Sequence, residues 1–130
     1  MTDPVFVEFQ LLQLVVSYVG DERVTLGLLH WDGRTLRTHF DRGRTPPWLA
    51  IDRDDLDRTM DAIETTVQRW AEQARAGQRL AEVVPVRQGA GSLLVWGPIS
   101  TGQTRFPGAQ YQELLELLHL VPSSAMPAAS

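Results

Sequence analysis

The sequence predicts an α+β domain: an antiparallel sheet of about four to five strands with two helices packed mainly on one face. Three observations carry that expectation. Residues 5–40 alternate between apolar and polar with tight turn signals, which favours hairpin pairing. Leu56, Met60, Ile63, Val67, Trp70 and Ala74 then recur at spacings of four and three, laying one apolar stripe along an α-helix. A second helical pattern closes the chain, giving the order strands, long helix, strands, helix.

In the first strand Val5, Val7, Phe9 and Leu11 share one parity, after which the apolar positions move to Leu12, Leu14, Val16 and Tyr18. A bulge near Leu11 and Leu12 is the simplest explanation, and a strand covered on both faces is the alternative. Gly20, Asp21 and Glu22 make a turn. The second strand follows, with Val24, Leu26, Leu28 and His30 on one side, and the third carries Leu36, Thr38 and Phe40. A three-residue loop of Trp31, Asp32 and Gly33 would set Leu28 against Leu36 and Val24 against Phe40, with Gly33 taking positive φ. A two-residue turn would instead place Leu28 against Arg37 and Leu26 against His39, so the bulged hairpin is expected.

Gly43, Pro46 and Pro47 mark a connection. Asp52, Asp54, Asp55 and Asp57 stand in or before the first turn of the long helix, where free amides and the helix dipole favour negative charge, and Gly77 ends it. Residues 82–86 are expected to form a strand at an edge or an end, because Pro85 lacks a ladder donor. Residues 93–96 are apolar throughout and read as a central strand covered on both faces. Gly97 and Pro98 stop it. The second helix begins near Pro107 and runs to about Leu120, carrying Tyr111, Leu114, Leu115, Leu118 and Val121 at helical spacing. One domain over residues 1–121 is expected, followed by a flexible tail over 122–130.

The 130 residues hold 43% hydrophobic and 22% charged side chains, the proportions of an ordinary globular chain. Gln10, Gln13 and Ser17 interrupt the most apolar stretch, so no membrane span is expected. Only Asp3 and Glu8 carry charge before Asp21, which lacks the basic start of a secretory signal and favours the cytoplasm. Without cysteine there is no disulfide, thiol nucleophile or cysteine-ligated zinc. Twelve basic residues, all arginine, against sixteen acidic ones give a net charge of −4, which argues against nucleic-acid binding by overall charge.

The sequence carries no Gly-x-Ser-x-Gly elbow, His-Glu-x-x-His pair or dinucleotide fingerprint, and the balance is against an enzyme. No catalytic residue, metal site or cofactor is assigned. His30, Asp32, His39 and Asp41 bracket the hairpin, but the expected register separates the two histidines by face. The aspartates at 52, 54, 55 and 57 are read as helix capping rather than as cation ligands. Gly89, Ala90 and Gly91 precede a strand, the wrong order for a phosphate loop, and read as a hairpin turn. The foremost ligand candidate is the polar segment Ser100, Thr101, Gly102, Gln103, Thr104 and Arg105, a loop of hydroxyls, amides and one arginine before a helix. Trp31 and Trp48, both expected in loops, are candidate partner anchors. Arg34, Arg37, Arg42 and Arg44 cluster about the third strand and are the candidate nucleic-acid contacts.

Two stretches resemble the bacterial domain-of-unknown-function 3037 family. In residues 11–29, Val15-Val16-Ser17-Tyr18-Val19 leads through Gly20-Asp21-Glu22-Arg23-Val24 to Leu26-Gly27-Leu28-Leu29, and Val95-Trp96-Gly97-Pro98-Ile99-Ser100-Thr101-Gly102-Gln103-Thr104 precedes the last helix. The first turn is shorter than the family's usual one, and Thr25 stands where asparagine is common. The resemblance implies a fold over residues 9–121 and no catalytic residues; some members look like neighbours of kinase-like proteins. The leading expectation is therefore a non-enzymatic interaction module or accessory subunit of a bacterial regulatory or defence assembly. Its partner would be another protein, the candidates being a kinase-like or defence-system protein or a second copy of the chain. A small-ligand or phosphate-binding protein ranks second and nucleic-acid binding third.

Overall fold

The computed structural model describes residues 3–17, 22–84 and 94–118. The strands are β1 (Val5–Ser17), β2 (Glu22–Trp31), β3 (Leu36–Phe40), β4 (Leu94–Trp96) and β5 (Ser100–Thr104). The helices are α1 (Arg53–Gln73), α2 (Leu80–Val83) and α3 (Pro107–Leu117), and a 3-10 turn spans Arg42–Arg44. The five strands form one antiparallel sheet in the order β3-β2-β1-β4, with β5 also paired to β1. The α+β class expected from the sequence is the one observed. The turn at Gly20 and Asp21, the glycines at 89 and 91 and the tail after 121 lie outside the described residues.

β1 is the spine of the sheet and is covered on both faces. Its pairing with β2 passes Leu11↔Leu28 and Leu12↔Gly27 without offset, so β1 does not change face at the expected bulge. The offset comes one step later and in the partner, because Leu26 is the extra residue between Gly27 and Thr25. Leu26 thereby joins Leu12 and Leu14 in the core. A second offset leaves Val16 extra in β1.

Successive residues of β2 point to opposite faces, and this places the helices. Leu29 and Trp31 pack with Val67 of α1 and with Leu80 and Val83 of α2, while Leu12, Leu14 and Leu26 pack with Leu56 and Met60 of α1. Ile63, Phe40 and Trp96 touch both groups and make one continuous layer. Leu28 lies on the other face, against Leu115, Tyr111 and Leu114 of α3. In this respect the structure differs from the expected placement mainly on one face: the long helix α1 and the short α2 cover one side and α3 covers the other.

The hairpin register also differs. Trp31 pairs with Leu36 and Leu28 with His39, so the loop is the four residues Asp32 to Thr35 and Trp31 belongs to the strand. The Asp32 carboxylate explains the longer loop, accepting hydrogen bonds from the amides of Arg34 (2.8 Å) and Thr35 (2.7 Å) while Gly33 takes φ of 91°. Trp31 is 2% exposed, and its indole N–H donates to the Gln78 carbonyl at 2.6 Å. It is a core residue and not a partner anchor.

α1 begins and packs as the spacing predicts, with Asp52 accepting from the amides of Asp54 and Asp55. Past Gly77 (φ 88°), whose amide donates to the Gly33 carbonyl at 2.9 Å, α2 takes the place of the start of the strand expected over 82–86, whose residues 85 and 86 lie outside the described ones. The Glu8 carboxylate accepts from the Leu80 amide (2.8 Å) and Glu82 from the Arg79 amide (2.9 Å), fixing a helical turn that buries Leu80 and Val83. β4 is not a central strand, since it occupies the same side of β1 as β5 and pairs with β1 through Leu12, Gln13 and Leu14.

Candidate functional site

The segment expected to be a polar loop is strand β5. Val5, Val7 and Phe9 of β1 pair with Thr104, Gly102 and Ser100, and Phe6 and Glu8 pair with Gln103 and Thr101. Side chains of a strand alternate in direction, so Ser100, Gly102 and Thr104 share one face, Thr101 the other, and Arg105 lies beyond the strand. They do not converge on one point as an anion cradle requires. The Thr104 hydroxyl accepts from the Phe106 amide at 3.1 Å, just ahead of α3.

The Gly97 amide donates to the Leu11 carbonyl at 2.8 Å, which identifies the odd-numbered residues of β1 as those bonded toward this side. Ser100, Gly102 and Thr104 therefore direct their backbone groups inward, and Thr101 and Gln103 direct theirs outward. Among the described residues no strand pairs with that outer edge. β5 carries no charge or proline, the usual devices that blunt an edge. Large apolar side chains surround it: Phe6 is 46% exposed, Phe106 66% and Ile99 36%.

The opposite border of the sheet is β3. The Asp41 amide donates to Leu26 (2.7 Å) and the Asp32 amide to Thr35 (3.4 Å), so Arg37 and His39 are the residues of β3 bonded to β2. Leu36, Thr38 and Phe40 direct their backbone groups away from the sheet. A groove of about 430 Å3 runs between this strand and α1, lined by Leu36, Thr38, His39, Phe40, Glu64, Gln68 and Ala71. A smaller cleft of about 310 Å3 at the start of β1 is lined by Phe6, Glu8, Trp31, Asp32, Gln78 and Arg79, among others.

In that cleft Glu8 is 4% exposed, and its two oxygens receive the Arg79 guanidinium at 3.1 Å each. Burial pushes the carboxyl upward, but the hydrogen bonds from Arg79 and Leu80 outweigh it and hold Glu8 below the usual carboxylate range. Arg79 in turn lies over the Phe6 ring, 5.1 Å from its centroid. Both carboxylate oxygens are occupied by the fold, so Glu8 serves the α2 start rather than acid–base chemistry.

The four candidate arginines do not form a free cationic surface. Arg37 pairs with Asp32 at 2.7 Å, and Arg42 reaches Asp57 (3.3 Å), Asp61 (2.7 Å) and Glu64. Arg44 donates to the Leu118 carbonyl. Arg34 alone of the four is exposed at the tip of the loop. Trp48 is exposed at 70%. Contrary to the expected register, His30 and His39 share a face of the sheet, on adjacent strands and two positions out of register, His30 buried with Nε2 2.9 Å from Gln110 Oε1. Among the described residues no group of three or more His, Asp or Glu is placed to hold a metal ion, and no helix is long and apolar enough to cross a membrane.

The sequence reading missed the border formed by β4 and β5, because it placed β4 in the centre and β5 in a loop. One signal was present: Glu8 and Gln10 share a parity with Leu12 and Leu14, an acidic and an amide side chain on an otherwise apolar face. No family model, curated protein or solved structure matches the chain.

Proposed function

We propose that this chain is a non-enzymatic protein–protein interaction module, an accessory subunit of a larger bacterial regulatory or defence assembly, that docks through the β5 edge. The observation that carries the reading is the uncharged edge strand flanked by exposed Phe6, Ile99 and Phe106. Outward backbone groups on Thr101 and Gln103 supply main-chain hydrogen bonds to an incoming strand, and the aromatic rim supplies the desolvated area that anchors interfaces. The second of the two stretches whose resemblance to the domain-of-unknown-function 3037 family suggested an accessory role contains β5.

A photo-reactive benzophenone side chain placed at Gln103 in the native host tests this. A discrete protein adduct is expected, and Phe106→Ser should reduce its yield about tenfold without lowering thermal stability, because Phe106 is outside the core and serine is a favoured residue at the α3 N-cap it occupies. An adduct pattern indifferent to Phe106→Ser, or no discrete adduct, would count against docking at β5.

A further inference from the structure

From the opposite border of the sheet we infer a second binding site: the groove between β3 and α1 accepts an extended peptide that adds to β3 as a further antiparallel strand, its basic residue beside Asp61 and Glu64 and its apolar residues beside Leu36 and Ala71. The backbone supplies the first argument. Leu36, Thr38 and Phe40 present amides and carbonyls toward the groove, and no described strand pairs with them. Those same residues lie on the α1 face, since Leu36 pairs with Trp31 and Thr38 with Leu29. An added strand would therefore hydrogen-bond to β3 and place alternate side chains beneath the flank of α1, which is how a sheet edge gains both affinity and specificity.

Helix geometry supplies the second argument. Asp57, Asp61, Glu64, Gln68 and Ala71 follow one another at spacings of four and three, so they form one row, and the last three line the groove. α1 runs antiparallel to β3: Phe40 joins the apolar group of Leu56 and Met60 as well as that of Val67, Leu36 joins only the latter, and Arg42 just past Phe40 reaches Asp57, Asp61 and Glu64. The end of the groove near Phe40 is therefore acidic and the end near Leu36 is apolar. Among the described residues, three carboxylates at the acidic end share one cation, Arg42, which bridges all three and leaves net negative charge there. Charge complementarity selects a basic residue opposite Phe40, with small apolar residues opposite Thr38 and Leu36.

The register specifies a probe, the capped hexapeptide Lys-Thr-Val-Thr-Val-Thr, whose lysine falls opposite Phe40 and whose valines fall opposite Thr38 and Leu36. Titrated into the isotope-labelled full chain, it should shift the amide resonances of Leu36, Thr38, Phe40, Gln68 and Ala71 and slow hydrogen exchange at the first three. Replacing its lysine by glutamate should weaken binding at least tenfold. N-methylation of the amides facing β3 should abolish it. In the protein, Thr38→Pro removes an outward donor while leaving the β2 pairing of Arg37 and His39 intact, so the fold persists and binding is lost. Glu64→Gln, which leaves the strand untouched, should erase part of the preference for lysine over glutamate. No shift at these residues with millimolar peptide, or binding that survives both N-methylation and Thr38→Pro, overturns the site. Because the readout is specific to residues 36–40, its outcome is independent of whether β5 docks a partner.

Discussion

At the scale of single residues, Trp31 does most to tie separate parts of the chain together. It ends β2, pairs with Leu36, packs on Val67 and Leu80, and donates its indole N–H to the carbonyl of Gln78 beyond α1. Trp31→Phe keeps the ring in the core but leaves that carbonyl without its donor, so a loss of about 1–3 kcal/mol is expected in denaturant unfolding. A loss near zero would show that water takes over the carbonyl and that the bond does little. The sequence made Trp31 look like a loop residue because a three-residue loop of Trp31, Asp32 and Gly33 sets Leu28 against Leu36 and Val24 against Phe40. What shifted the loop was a side chain: Asp32 wraps the amides of Arg34 and Thr35, and the Arg37 guanidinium closes over its second oxygen. Burial raises the Asp32 carboxyl, but those amides and Arg37 prevail and hold it below its ordinary value. A propensity reading does not see such local carboxylate chemistry.

At the scale of elements, the register of β2 and β3 rests on a close approach at Gly27. A Cβ there would stand 2.5 Å and 2.9 Å from two atoms of the Phe40 ring and 3.3 Å from the His39 carbonyl. The ring lies across the strand where no side chain intervenes, and from there it joins both apolar groups under α1. Gly27→Ala should cost about 1–3 kcal/mol through overpacking, and most of that cost should return in the double variant Gly27→Ala with Phe40→Leu. A double-mutant cycle showing no coupling between the two positions would mean that the ring is not what the glycine accommodates. Elements with strong internal periodicity were legible: α1 was predicted from its stripe and α3 from its proline start and leucine spacing. Elements defined by neighbours were not. α2 leads into the β-branched pair Val83-Val84 and becomes helical because Glu8, distant in sequence, caps it, and β5 is a strand because β1 is long enough to pair with β4 and β5 in succession.

At the scale of the whole molecule, the two helical layers are held unequally. α1 and α2 share a broad apolar layer with the sheet, whereas α3 rests on the smaller group around Leu28 and Leu115 and on polar ties that include His30 to Gln110 and Arg44 to the Leu118 carbonyl. The imidazole is fully buried, 5.7 Å from the Tyr111 ring, with Arg37 and Asp32 as its charged neighbours. Burial pushes the His30 pKa down and the Arg37 charge adds to this, while the Gln110 bond and Asp32 pull it partway back. The folded chain therefore resists a proton that the unfolded chain accepts near pH 6.5, so stability is lost as pH falls below that value. Glu8 and Asp32 are also held below their ordinary values, but their losses begin only as pH falls toward the carboxylate range, which leaves the interval from about 6.5 to 5 to His30. Within it, hydrogen exchange should show opening of α3 becoming easier by up to about 1.4 kcal/mol per pH unit, while α1 keeps its protection. The effect should vanish in His30→Phe. If α3 protection is flat over that interval, or falls together with α1, then the helix is not a separately released layer and His30 is not its tether.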